Sequence, residues 1–506
     1  MLLGALIVAD VLLRSRNFHF FYIEGGVVPQ ELAERYTVET AFSVYYYTTD
    51  PVIIAGLFAL TALVGIQLFV GYKTRIAVVL SFLLVVSLDH HNPLVLSFAD
   101  TLFRLLLFWA IFLPLGERWS IDAIHRDREP RTAIASVATA LILIQVVFVY
   151  VSNAVAKAFS DLWRTGEAAP LVLGLDNITF FFGDLTRSVP ELLQLGGFVW
   201  FLMLSLSWLL FVFRGRLRTA FALLFVGVHA SFALTVRIGA FPYVSIAGVL
   251  LFLPTQFWRD GSRLVRRVGL DPARFVPSKS AQNRLGEAVP RLDLDYPGVL
   301  WIRRTVYTVV LWVVVISILL VVAVLLANLG TITADPETMD DRAEETLRET
   351  PVVSQVERVA VSLSIDQPGW SIFAPQPRTT DRYYVFPATT ASDDRLDVYN
   401  DRELRFERPQ DELQRQFGTY RERFYMNSVR RAGSVGHAPV HLAAYYCTEY
   451  EKASDSELVR LNMYQVTETV TMETIDSHES RQRESSLLSR HACGKHEPGP
   501  IVEPPF

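Results

Sequence analysis

Hydrophobic positions form long unbroken runs up to about Asn328 and short, interrupted patterns after it. Nine runs read as helices: roughly 1–14, 51–72, 76–88, 100–115, 133–158, 197–213, 219–236, 238–255 and 305–328. A helical crossing takes about 20 apolar residues, so the first, third and fourth are short for one. None alternates as a barrel strand does, and only helices or closed barrels satisfy every backbone group in lipid. From Gly330 onward no run is long enough to span a bilayer. There the pattern predicts helices near 351–364, 409–430 and 437–452, and strands near 382–388, 395–400 and 458–471. The expected fold is a membrane all-α bundle of about nine helices followed by a small α+β extracytoplasmic domain. Its expected parts are a transmembrane domain at 1–328, an acidic linker at 329–350, the α+β domain at 351–495 and a Pro-rich, disordered tail at 496–506.

Charge divides the chain at the same place. Residues 329–506 carry 30 acidic and 20 basic side chains, a net of −10, so with −5 for the whole chain the first 328 residues hold +5. The acidic half speaks against nucleic-acid binding, which needs clustered positive charge. The loops orient the runs. Lys73 and Arg75 follow the second run, Arg118 to Arg131 the fourth, Arg214 to Arg218 the sixth, and a dense group from Arg259 to Arg304 the eighth. Every even-to-odd loop is basic. By the positive-inside rule this predicts a multi-pass cell-membrane protein with its N-terminus cytoplasmic and its C-terminal domain outside. No cleavable signal peptide is evident, because the chain begins directly with an apolar run. The two cysteines, Cys447 and Cys493, form one disulfide if that domain is outside and remain two thiols otherwise. No CxxC or HExxH spacing occurs, and no metal is expected.

Ionisable groups inside a bilayer are costly and usually face a cavity or a partner. Asp89-His90-His91-Asn92-Pro93 lies between the third and fourth runs, where it reads as a proton-moving or metal-binding cluster or as a solvated Asn-Pro turn. Asp100 and Arg104 follow at the i, i+4 spacing of a self-neutralising pair. Lys157, near the end of the fifth run and close to Trp163, reads as a snorkelling lysine or as a desolvated amine able to act as a base. His229 is central in the seventh run, with Arg237 and Tyr243 at the next turn. Aromatics and Gly25-Gly26 mark a turn between Asn17 and Pro29. In the polar domain, Arg421, Arg423, Arg430 and Arg431 read as a solvated helix face laced with Glu422, or as a site for an acidic partner. The sequon Asn177-Ile-Thr179 falls on the expected outer side.

These stretches, in this order, resemble the vitamin K-dependent gamma-carboxylase family and its wider microbial relatives, the HTTM (horizontally transferred transmembrane) domain proteins. The resemblance rests on Phe21-Tyr22 with Gly25-Gly26-Val27-Val28-Pro29, His91-Asn92-Pro93, Leu113-Pro114-Leu115-Gly116, Tyr150…Lys157…Trp163, and His229…Gly239-Ala-Phe241-Pro242-Tyr243. Trp370-Ser-Ile-Phe373-Ala-Pro375-Gln-Pro377 adds an echo in the polar domain. The resemblance implies a lyase-class membrane enzyme that uses a reduced vitamin K-type naphthoquinone, O2 and CO2 to carboxylate protein glutamate. It places the base at Lys157 and assisting groups at His229, His91 and Asn92, the family histidine of that turn falling on Asn92. Asp89, His90, Trp163, Arg237 and Tyr243 are the accompanying candidates for binding the quinone, and Asp100, Arg104, Cys447 and Cys493 for structural roles. The implied partners are membrane lipid and a glutamate-bearing protein or peptide. The alternative is a non-catalytic scaffold or quinone-binding protein that presents its C-terminal domain to partners.

Overall fold

In the computed structural model, residues 1–126, 129–267, 284, 286–291, 298, 301–302, 304–313, 315–316, 351–432, 436–454 and 456–506 are described. The linker and the second half of the ninth run lie outside them.

Helix is found within each of the nine apolar runs where it is described, with breaks at 112–115, 206–208 and 253–254. The principal helices are α1 (Leu2–Ser15), α2 (Pro51–Val70), α3 (Thr74–His91), α4 (Phe98–Ile111), α5 (Val137–Ala158), α6 (Pro190–Ser205), α7 (Gly215–Thr235), α8 (Phe241–Val249) and α9 (Thr255–Arg267). The ninth run is helical over Arg304–Val313. Local chemistry sets the ends. Asp50 caps α2 with Pro51 at its first position, and Gly71 closes it in left-handed backbone. Ser97 and Asp100 form a reciprocal capping box on α4. Among the described residues four helices, α2, α3, α5 and α7, are long and apolar enough to cross a membrane. A fifth joins them if Phe241–Phe252 and α9, bent by 102°, count as one broken span. Helix α1 crosses α2 in close contact: a Cβ on Gly4 would lie 2.4 Å from the Gly65 carbonyl oxygen, so small residues are required on both sides.

The polar domain begins with α10 (Pro351–Ser362) and builds a six-stranded antiparallel sheet. Its strands are β1 (Thr380–Val385), β2 (Pro387–Thr390), β3 (Arg395–Asp397), β4 (Arg402–Glu403), β5 (Leu458–Thr469) and β6 (Arg483–Ala492). Strand β5 is the hub. β1 and β2 follow one another along one of its edges, and β6 pairs along the other, with Met463 opposite Ser489. Helices α11 (Tyr420–Ala432) and α12 (His437–Ala453) complete the domain. A Cys447–Cys493 disulfide ties α12 to the chain just beyond β6.

Three expectations for this domain need correction. The helix expected from 409 starts only at Tyr420. The carbonyls of Gln414, Phe417 and Gly418, which a helix would use internally, accept from Arg237 instead. Strand β6 was not anticipated; its Arg-Glu-Ser-Ser start has little strand character. The tail expected to be disordered has no helix or strand but lies against the sheet, with Arg460 Nε donating to Glu497 O (3.2 Å) and Ser485 Oγ to Phe506 O (2.6 Å).

Candidate functional site

Helix α5 carries Gln145, Asn153 and Lys157 at multiples of four residues, so they share one face. All three are buried. Around the lower turns of that face lies an apolar cavity of about 400 Å³, lined by Tyr150, Asn153, Lys157, Trp163, Trp200, His229, Phe232 and Phe241 among others. Lys157 and His229 therefore line one cavity. Tyr150 Oη and His229 Nε2 are 2.9 Å apart. His229 Nδ1 is buried without a hydrogen-bond partner. With Tyr150 as donor, a neutral imidazole carries its proton on Nδ1, leaving a donor free for a ligand. Tyr150 was part of the sequence pattern but was not singled out. Its position one turn before Asn153 was the available signal.

The remaining wall comes from the polar domain. Ile372 and Phe373 line the cavity, and Lys157 Nζ donates to Ile372 O (2.7 Å) and Phe373 O (3.5 Å) while lying 3.5 Å from the Trp163 ring centroid. Trp163 Nε1 also donates to Phe373 O (2.7 Å). Asn153 Nδ2 donates to Trp370 O (2.8 Å) and Ile372 O (3.2 Å). Higher on α5, Gln145 and Gln367 exchange amide hydrogen bonds of 3.0 and 2.6 Å. Just past α5, Ser160 Oγ donates to Gln376 Oε1 (3.0 Å). The lysine thus does not snorkel to an interface; it is held by a strap of the C-terminal domain. The Trp370–Pro377 stretch stood out in the sequence only as an echo of the family.

The 89–92 turn is elsewhere. It is buried rather than solvated, and it is not part of the cavity lining. His90 pairs with Phe42 O (2.8 Å) and Ser364 Oγ (2.7 Å). His91 Nε2 lies 3.1 Å from Tyr22 O, and its ring stacks on Tyr45 at 4.6 Å. Asn92 caps the following turn through Leu94 N and donates to Phe21 O. Among the described residues no cluster suits a metal ion.

Asp89 belongs to a buried ionic network, bonded to Arg14 and to Arg104. The expected Asp100–Arg104 pair is replaced by longer-range partners. Asp100 meets Arg14 (3.4 Å) and Arg421 (2.9 Å), and Asp10 meets Arg14 (2.8 Å) and Arg421 (2.5 Å). Arg104 Nε donates to Ser364 O (2.7 Å). Three aspartates and three arginines thus join α1, α3, α4 and α11. Asp10 and Arg14, i, i+4 inside an apolar run, were overlooked. Arg421 and Arg423 are buried against the membrane region, not solvated. Arg421 ends in this network, and Arg423 donates to Arg237 O (2.8 Å). Arg237 holds the 414–418 carbonyls, and Tyr243 is half-exposed. Both line a second cavity, of about 390 Å³, shared with Asp10, Asp89 and Asp100. Of the residues expected to bind a quinone, only Trp163 lines the Lys157 cavity.

A second network docks the domain at the loop after residues 168–173. Asp176 binds Arg187, Arg408 (2.5 Å) and Arg481 (2.9 Å). The Asp381 carboxylate accepts from the backbone N–H groups of Asp176 (2.6 Å) and Asn177 (2.9 Å). Burial pushes the Asp176 carboxyl up, but Arg187, Arg481 and Arg408 outweigh it and hold the group below its ordinary range. Burial, and then Asp176 itself, push Asp381 up. The sequon residue Asn177 is buried in this contact.

The apolar helices, the buried polar face on α5 and the cavity beside it define a helical membrane protein whose site opens within its membrane-type region. Residues 29–258 match the family model described as HTTM domain. No curated protein and no solved structure matched the chain.

Proposed function

We propose that the chain is a gamma-carboxylase-like membrane enzyme whose site is the Lys157–His229 cavity. The observation that carries this reading is that both side chains, far apart in sequence, line one apolar space of about 400 Å³. That is within the usual range for a small-molecule site, roughly 300–1,000 Å³, and Trp163, Trp200 and Phe241 offer flat apolar faces to an aromatic ring. A reduced naphthoquinone bound there would supply the oxidisable ring whose reaction with O2 yields a base strong enough to take the γ-proton of a protein glutamate, which then adds CO2. The chain's own part is proton handling. Lys157 as a free amine has two N–H groups for the Ile372 and Phe373 carbonyls and a lone pair for a hydroquinone proton. His229 Nδ1–H, set by Tyr150, donates to an oxygen of the ring.

We read the nine apolar runs as nine crossings of the cell membrane, N-terminus cytoplasmic and polar domain outside. The alternating basic loops support this, as does the Cys447–Cys493 bond, since disulfides persist in oxidising compartments. The test uses purified full-length protein, a reduced naphthoquinone, O2, a glutamate-containing peptide and labelled bicarbonate. Label in the peptide and epoxide from the quinone are expected, both lost in Lys157→Met. Absence of both, beside an active carboxylase control, sinks the reading.

One observation favours the non-catalytic alternative. Lys157 spends its hydrogen bonds on strap carbonyls, as a structural staple would. In that case Lys157→Met lowers stability, and quinone binding survives without turnover in the wild type.

A further inference from the structure

Six buried polar residues of the membrane region bond one and the same segment of the polar domain. His90 and Arg104 bond Ser364, Gln145 bonds Gln367, Asn153 and Lys157 bond Ile372, and Ser160 bonds Gln376. Residues 364–376 therefore lie as a strap across them. On one side of the strap is the apolar cavity, to which it contributes Ile372 and Phe373. On the other the chain continues directly into β1. Trp370 (φ 39°) and Phe373 (φ 54°) are in left-handed backbone, which bulky side chains adopt only where surrounding contacts over-determine it. These two flank the carbonyl that takes Lys157 Nζ. The strap thus combines two strained residues with these side-chain hydrogen bonds and one apolar anchor, Trp370, whose buried ring packs on Phe98 and whose Nε1 donates to Gln367 Oε1 (3.0 Å).

We propose that the 364–376 strap is a gate. Closed, it seals the cavity toward the polar domain and holds the Lys157 amine on its own carbonyls. Open, it frees the amine and admits the polar side's reactants to the cavity. The Gln145–Gln367 amide pair is its latch, and Asn153, which bonds the carbonyls on both sides of Ser371, is its positioning residue. The gate does not depend on what occupies the cavity, so it can fail while the carboxylase reading stands, and the reverse.

The experiment measures the rate at which a water-soluble sulfonated succinimidyl ester acylates each lysine of the full chain in lipid nanodiscs, by peptide mass spectrometry. The chain has only Lys73, Lys157, Lys279, Lys452 and Lys495, so each site is read separately. In the wild type Lys157 should react at least 100-fold more slowly than exposed Lys452. Gln145→Leu and Gln367→Leu should each raise the Lys157 rate at least tenfold and leave Lys452 and Lys495 unchanged. The double variant should add less than twofold more, because both substitutions cut one latch. The increase should be insensitive to sub-denaturing urea, as local opening is. A wild-type Lys157 rate within tenfold of Lys452 overturns the gate. So does a rate unmoved by either latch variant, or one that rises only with urea, which marks global unfolding.

Discussion

Replacing Arg421 by Met tests whether the polar domain is docked by charge compensation. Arg14, Arg104 and Arg421 balance Asp10, Asp89 and Asp100, and the sum is zero. The substitution leaves one negative charge uncompensated. Arg421 meets Asp10 at 2.5 Å and Asp100 at 2.9 Å, each contact about 6 kcal/mol of gross attraction at an effective dielectric near 20. Desolvation consumes much of that, and breaking one side of a buried pair typically costs about 3–5 kcal/mol. Two features place this case at the lower end. Asp10 keeps 17% of its side-chain exposure, and Arg14 remains within 2.8 Å of Asp10 and 3.4 Å of Asp100. We expect a loss of about 3 kcal/mol, roughly a hundredfold in the folding constant. It is read from urea titration in detergent followed by tryptophan fluorescence, with Lys452→Met, in an exposed pair with Glu449, as a control expected to change nothing measurable. Adding Asp10→Asn to Arg421→Met restores neutrality and should recover at least about 1 kcal/mol. A loss under about 1 kcal/mol, or a double variant weaker than the single, refutes charge compensation as the docking force.

Three further outcomes follow from particular contacts. Tyr150→Phe strips His229 Nε2 of its partner inside an apolar wall, so stability should fall by about 1–3 kcal/mol; no change in the thermal midpoint would mean the pair is not formed. Cys447→Ser with Cys493→Ser opens a closure spanning 46 residues, for which chain entropy gives about 4 kcal/mol as an upper figure; a urea midpoint equal to that of the wild type without reductant would contradict it. Asp176 is held below its ordinary value by arginines, so its contribution is complete above about pH 4 and is lost as pH falls through the depressed folded value. Asp381, raised by burial, acts in the opposite sense. Asp176→Asn should therefore flatten the loss of stability below about pH 4, and an unchanged acid slope would exclude Asp176 as its source.

Helix within the apolar runs was legible because a long apolar run in lipid admits almost one solution, but only four to five of the described helices have the length of a crossing. The Lys157–His229 cavity was half legible, because intramembrane ionisable groups advertise themselves. The rest was not, for a physical reason. A membrane-buried polar side chain needs a partner, but its own position does not say whether that partner is a ligand or another segment of the chain. His90, Arg104, Gln145, Asn153 and Lys157 all find theirs between Ser364 and Phe373, each more than 200 residues away. Reading Asp89–Asn92 together with Lys157 as one site followed from assuming that polar residues on one side of a membrane converge on a ligand. Of the 89–92 turn only His90 reaches the strap, while Asp89, His91 and Asn92 bond Arg14 and Arg104, Tyr22 and Phe21; Lys157, Asn153 and Trp163 meet the strap where a cavity remains. The same ambiguity hid Arg421: a charged helix face looks solvated until the oppositely charged buried groups are seen, and Asp10 went unread while Asp100 was paired with Arg104. The polar domain is therefore not an appendage of the HTTM region. It supplies one wall of that region's cavity and one cation of its buried charge balance, so a test of the membrane site requires the domain to be present.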